Sequence, residues 1–148
     1  MPCIRAACVV ACLALALFLT PSLAAAQQFR GDLDPVPHDN SMRDNVVGAG
    51  LVSATLAGNN LSITGQFSGL SSPATGAHLK MGTAMGVPGT TIAELSASHA
   101  ASGQVTGTAT LDTAQIAALK KGALYVELDS AKAPDGNSWA WLQSMEGP

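Results

Sequence analysis

Three polar side chains could do joint chemistry if neighbouring strands bring them together: His78, Lys80 and Asp129. Residues two apart on a strand share a face, so His78 and Lys80 point the same way. An imidazole and a carboxylate can hold zinc or copper, and Glu127 could add a second carboxylate. Lys80 works against such a site, because an ammonium has no lone pair and repels a cation. The plainer expectation is structural. His78 would hydrogen-bond within a polar strand face, and Lys80 and Asp129 would form a cross-strand surface pair worth about 0–1 kcal/mol. Trp139 and Trp141 also share a strand face. Two indoles could form a platform for a sugar ring or a partner protein. The plainer alternative has one covering the open end of the fold and the other partly exposed. The candidate ligand-binding set is therefore His78, Lys80, Tyr125, Glu127, Asp129, Trp139 and Trp141, with His78 and Asp129 as weak metal candidates.

No catalytic residue is nominated. The chain has no Gly-x-Ser-x-Gly elbow. Gly82 to Gly89 is rich in glycine but leads into neither a Lys-Ser/Thr pair nor a helix, which argues against a phosphate cradle. His38 and His99 fall in separate loops or turns at no metal-ligand spacing. The pairs Asp32/Asp34 and Glu127/Asp129 fit solvated strand-face charges better than an acid/base couple. The expectation is a protein that is not an enzyme and needs no cofactor, with zinc or copper as the minor alternative.

Short strands must position these residues. Phe29 to Leu33 reads as a first strand, followed by a loop containing Pro35 and Pro37. Val52, Ala54 and Leu56 alternate with Ser53 and Thr55. Leu61, Ile63 and Phe67 alternate with Ser62, Thr64 and Gln66, and Gly58-Asn59-Asn60 turns the chain between them. Further strands are expected at His78–Met81, Thr90–Leu95, Gln104–Leu111, Ala123–Ser130 and Ser138–Ser144, with a turn over Ala133–Asn137. Asp112 or Thr113 caps one short helix running to Lys121, and Gly122 ends it. Seven or eight strands without helix–strand alternation predict an all-β fold: an antiparallel, Greek-key-like sandwich or barrel with one short helix.

The N-terminus reads as a leader. Arg5, the apolar run Val9–Leu19, Pro21 and Ala24-Ala25-Ala26 form a secretory signal peptide over residues 1–26, cleaved before Gln27. The run is shorter than the ~20 residues a membrane span needs. Cys3, Cys8 and Cys12 all lie in the leader, so residues 27–148 form a single domain without thiol or disulfide. Loss of Arg5 leaves six cationic against ten anionic side chains, a balance of −4. No basic patch offers itself to nucleic acid. The destination is the periplasm or the exterior, and the expected partner is an unidentified protein or glycan there.

Four ordered segments carry a family resemblance: Phe29–Leu33 with its proline loop and Ser41; Leu61–Leu70 ending Phe67-Ser68-Gly69-Leu70; Gly76-Ala77-His78-Leu79; and Gly122–Val126 followed by Pro134-Asp135-Gly136. In these the chain resembles the chordin-type (CHRD) domain family. The resemblance implies an extracytoplasmic β-sandwich distantly similar in architecture to copper/zinc superoxide dismutase. It also implies a family of secreted proteins with no general enzymatic activity. The chain departs from the family pattern where that pattern shows His-x-His, here His78-Leu79-Lys80, and where it shows a further His, here Asp129. Near the C-terminus a charged pair is replaced by Trp139 and Trp141.

Overall fold

The computed structural model describes residues 25–147. The expected leader lies almost wholly outside them, as do Cys3, Cys8 and Cys12. Among the described residues, no helix is long and apolar enough to cross a membrane.

Nine strands and one helix follow in order: β1 (Gln27–Pro35), β2 (Ala49–Ala57), β3 (Asn60–Ser68), β4 (Ala74–Met81), β5 (Thr90–Ala97), β6 (Gly103–Thr110), α1 (Thr113–Lys120), β7 (Leu124–Ser130), β8 (Ala133–Trp141) and β9 (Gln143–Ser144). Every pairing is antiparallel. Strand order is β2-β3-β6-β5-β4-β7-β8-β1, and β1 pairs back to β2, so eight strands close a barrel. β4, β5 and β6 form a meander whose last strand returns beside β3, a Greek key. Two strands pair with one of their neighbours over only a short stretch. β1 pairs with β2 from Gln27 to Leu33 and with β8 only at Asp34 and Pro35. β5 pairs with β4 from Thr90 to Leu95 and with β6 only at Ser96 and Ala97.

The period-two pattern decides which side chains fill the interior. Phe29, Leu33, Val52, Leu61, Ile63, Leu79, Val105, Leu124, Val126, Leu128, Ala140 and Leu142 are at most 1 % exposed and meet in one core. Full burial of an aliphatic or aromatic side chain contributes about 1.5–3 kcal/mol, so this alternation is the main stabilising term. The β2–β3 hairpin forms as its sequence predicts, with Gly58 in the left-handed region at φ 63°. Helix α1 carries a reciprocal capping box between Asp112 and Gln115, and Gly122 follows its end at φ 74°. The helix links β6 to β7 and buries Leu119 in the core.

Two elements differ from the sequence reading. β4 begins at Ala74, ahead of the expected His78 start. The expected turn over Ala133–Asn137 is instead the first half of β8, and the chain reverses at Ala131 and Lys132. Pro134 and Gly136 are tolerated there because the β7–β8 register shifts between Leu128 and Ser130. Gly136 takes φ 123°, and buried Asn137 fills the irregularity, bonding Ser130, Ser138 and the Val47 carbonyl.

Candidate functional site

The seven candidate residues come together on the outward face of β4, β7 and β8. Alternation sends Leu124, Val126 and Leu128 into the core and Tyr125, Glu127 and Asp129 outward. On β4 the outward residues are His78 and Lys80, and on β8 they are Trp139 and Trp141. An outward face of a barrel is usually wet, yet all seven residues of β7 are buried. Segments flanking the barrel cover this one, chiefly the Gly82–Gly89 loop and the chain around Val36 and Pro37.

Register sets the ion pairs. His78 lies directly opposite Glu127, and Lys80 opposite Tyr125. Each reaches diagonally to the next outward residue of β7, a normal cross-strand reach for long side chains. His78 Nε2 donates to Asp129 Oδ2 at 2.7 Å, and Lys80 Nζ donates to Glu127 Oε1 at 2.7 Å. The expected Lys80–Asp129 pair is therefore replaced by two parallel pairs. The second ring nitrogen of His78, Nδ1, stands 2.7 Å from Glu94 Oε2 on β5 without hydrogen-bond alignment.

Burial acts differently on the two pairs. It pushes the Asp129 carboxyl above the usual aspartate range, and the His78 hydrogen bond opposes this without cancelling it. The second Asp129 oxygen, Oδ1, is buried without a partner. Burial disfavours the Lys80 ammonium too, but the hydrogen bond and charge of Glu127 outweigh it and hold the lysine above its usual range.

The pairing geometry does not fit a metal centre. Two ligands of one tetrahedral zinc, each about 2.0–2.2 Å from it, stand more than ~3 Å apart. His78 and Asp129 sit at hydrogen-bond distance instead. Asp129 and Glu94 approach opposite nitrogens of the ring, so one ion cannot gather all three. Among the described residues, no group of three His, Cys, Asp or Glu side chains is placed to hold a metal.

Beside the ion pairs stands an aromatic cluster. Tyr125 stacks on Trp141 with ring centroids 4.2 Å apart. Trp139 meets Tyr125 and Trp141 in T-shaped contacts at 5.9 and 5.3 Å. Such pairs add about 0.5–1.5 kcal/mol each beyond area burial. Tyr125 is fully buried, and its hydroxyl accepts from the Gly89 N–H at 3.0 Å, fastening the loop to the sheet. Only glycine fits that position, because a Cβ at Gly89 would overlap the Met81 carbonyl. The Trp141 indole N–H is buried with no acceptor.

Both indoles are half-buried, so the structure matches neither a fully exposed platform nor a purely structural pair. Trp139 lines two clefts. The first, of about 430 Å³, also holds Trp141, Met85, Met145, Arg30, Asp32 and Asp34. The second, also about 430 Å³, is lined by Lys80, Glu127, Asp135, Val36, Pro37 and Pro88. Met85, Val87 and Met145 are the exposed large apolar residues of the described chain. Met85 and Met145 line the first cleft, and Val87 belongs to the loop beside it.

Sequence reasoning missed Glu94, Met85, Met145 and Arg30 as parts of this face and read Asp32 and Asp34 as plain strand-face charges. Alternation in β5 does mark Glu94 as outward, since Leu95 is buried. The others belong to β1, a loop and the C-terminal segment, which only barrel closure brings beside β8. His38 and His99 are exposed loop residues bonded to backbone carbonyls, away from this cluster.

A model of the CHRD domain matches residues 20–137. No curated protein and no solved structure matches the chain, so the expected likeness to copper/zinc superoxide dismutase gains no support from a neighbour. The matched segment covers β1 to β7 with the first half of β8 and ends before Trp139, so both tryptophans lie beyond it. With most of its length matched in this way, the chain belongs to the CHRD domain family.

Proposed function

We propose that this CHRD domain is an extracytoplasmic binding module that works without catalysis and without a cofactor, through the outward face of β4, β7 and β8. One observation carries the reading: the exposed large apolar side chains and both half-buried indoles gather on a single face. Apolar surface collected in one place marks an interaction site more often than chance exposure does. Beside it, His78 is tied to Asp129 and Lys80 to Glu127, which suits a rigid recognition surface more than acid–base turnover. The leader over residues 1–26 and the family's secreted character support a location outside the cytoplasm. The glycan alternative shares this face, because indoles also stack on sugar rings.

The chain has two tryptophans, and both stand in this wall, so intrinsic emission reports on the site alone. The test titrates the purified protein with peptides, neutral and acidic saccharides, zinc and copper(II), reading tryptophan emission and product formation together. A saturable emission change from a peptide or saccharide, with no turnover, is expected. Turnover abolished by one outward-face substitution such as His78→Gln would overthrow the reading. Specific one-to-one metal binding lost in His78→Ala would replace it with a metal-binding role.

A further inference from the structure

The charges around Trp139 name a ligand class, and the argument rests on the binding-module reading above. In the second cleft Lys80 and Glu127 neutralise each other at 2.7 Å, leaving Asp135. In the first, Arg30 approaches Asp32 only at 4.0 Å with both side chains more than half exposed, a pair of little strength. Asp34 has no ion-pair partner among the described residues, and neither has Asp135. Each cleft beside Trp139 therefore presents an open carboxylate, and the indole that lines both is itself electron-rich. Carboxylates beside an aromatic face attract organic cations.

We infer that this face binds an extended basic segment of a partner protein. One lysine or arginine side chain lies along Trp139 toward Asp34, and a second reaches Asp135 in the other cleft. The exposed thioethers of Met85 and Met145 receive the aliphatic stems, since methionine packs against irregular partners at low cost. The Trp141 N–H in the same wall is buried without an acceptor. Arg30 is an internal competitor: it already offers a guanidinium to Asp32, so the incoming cation displaces a weak partner.

The test is calorimetric titration of the purified protein with hexalysine, at low salt and at rising salt. Binding that weakens with salt is expected. Asp34→Asn combined with Asp135→Asn, both exposed and safe for folding, weakens it by about tenfold, and Trp139→Ala weakens it similarly. Arg30→Gln tightens it several-fold, whereas Lys132→Gln, the same charge change outside both clefts, leaves it unaltered. Equal tightening by Arg30→Gln and Lys132→Gln would reduce the effect to net charge and overturn the inference. No hexalysine binding, with a saccharide still shifting tryptophan emission, overturns the cationic ligand and leaves the module reading standing. No hexalysine binding together with turnover removes both.

Discussion

The barrel has two outward faces of opposite character. On β2, β3 and β6 the outward residues include Ser53, Ser62, Thr64, Gln66, Gln104, Thr106 and Thr108, uncharged and exposed, with Leu51 and Thr55 half-buried among them. On β4, β7 and β8 they are histidine, lysine, carboxylates and aromatics, and the strand at the centre is buried throughout. The same alternation built both. The difference lies in what passes over them: nothing comparable covers the hydroxyl face, while a glycine-rich loop is fastened over the other through Gly89 and Tyr125. A covered outward face is a second, smaller interior. Charges there must be paired, and rings can be stacked. Specificity can be built on such a face at a depth that a wet row of threonines does not reach.

The largest contrast is expected from matched truncations. Tyr125→Ala removes a fully buried ring, two aromatic contacts and the Gly89 acceptor, and should cost about 3–5 kcal/mol in urea unfolding. Thr64→Ala on the other face should stay within ~0.5 kcal/mol. Similar costs at the two sites would erase the distinction.

Next comes the Lys80–Glu127 pair. Lys80→Met strands a largely buried carboxylate and should cost about 2–3 kcal/mol, below the ~3–5 of a fully enclosed pair. Adding Glu127→Leu should recover most of that loss. Because the lysine pKa is raised in the folded state, its contribution is complete below the ordinary lysine value and disappears as pH climbs through the folded one. Wild type should therefore show an alkaline decline in thermal midpoint that Lys80→Met lacks.

Asp129 has the opposite sign from a usual paired carboxylate. Its raised pKa means that the folded state holds the proton more tightly than the unfolded chain does. The resulting stabilisation is present below the ordinary aspartate value and is lost as pH rises through the folded one. Relative to wild type, Asp129→Asn should look progressively better as pH rises from below the ordinary aspartate value through the folded one. A difference that shrinks over that interval would contradict the burial argument. The smallest effect belongs to Glu94→Gln, whose side chain is 73 % exposed. It should change stability by less than ~1 kcal/mol.

These contrasts also show what could be read ahead of the structure. Alternation assigned the inner and outer residues of β3, β7 and the end of β8, because one-sided burial forces a period of two. Pro134-Asp135-Gly136 carries a turn's composition, yet it sits in a strand, because a register shift accommodates both the missing N–H and the positive φ. The candidate set could be listed from facing alone. Its pairing could not: whether Lys80 meets Asp129 or Glu127 depends on the β4–β7 register and on which diagonal the side chains take. The second wall of the first cleft was further out of reach, since β1 and β8 are separated by nearly the whole domain and meet only on closure.

The most direct measurement places a photo-crosslinking side chain at position 85, beside the indoles, or at position 64, on the hydroxyl face, in the full chain expressed with its N-terminal segment. The account predicts discrete adducts with an extracytoplasmic partner from position 85, abolished by Trp139→Ala, and none from position 64. Equal adducts from both positions, or adducts from position 64 alone, would contradict it.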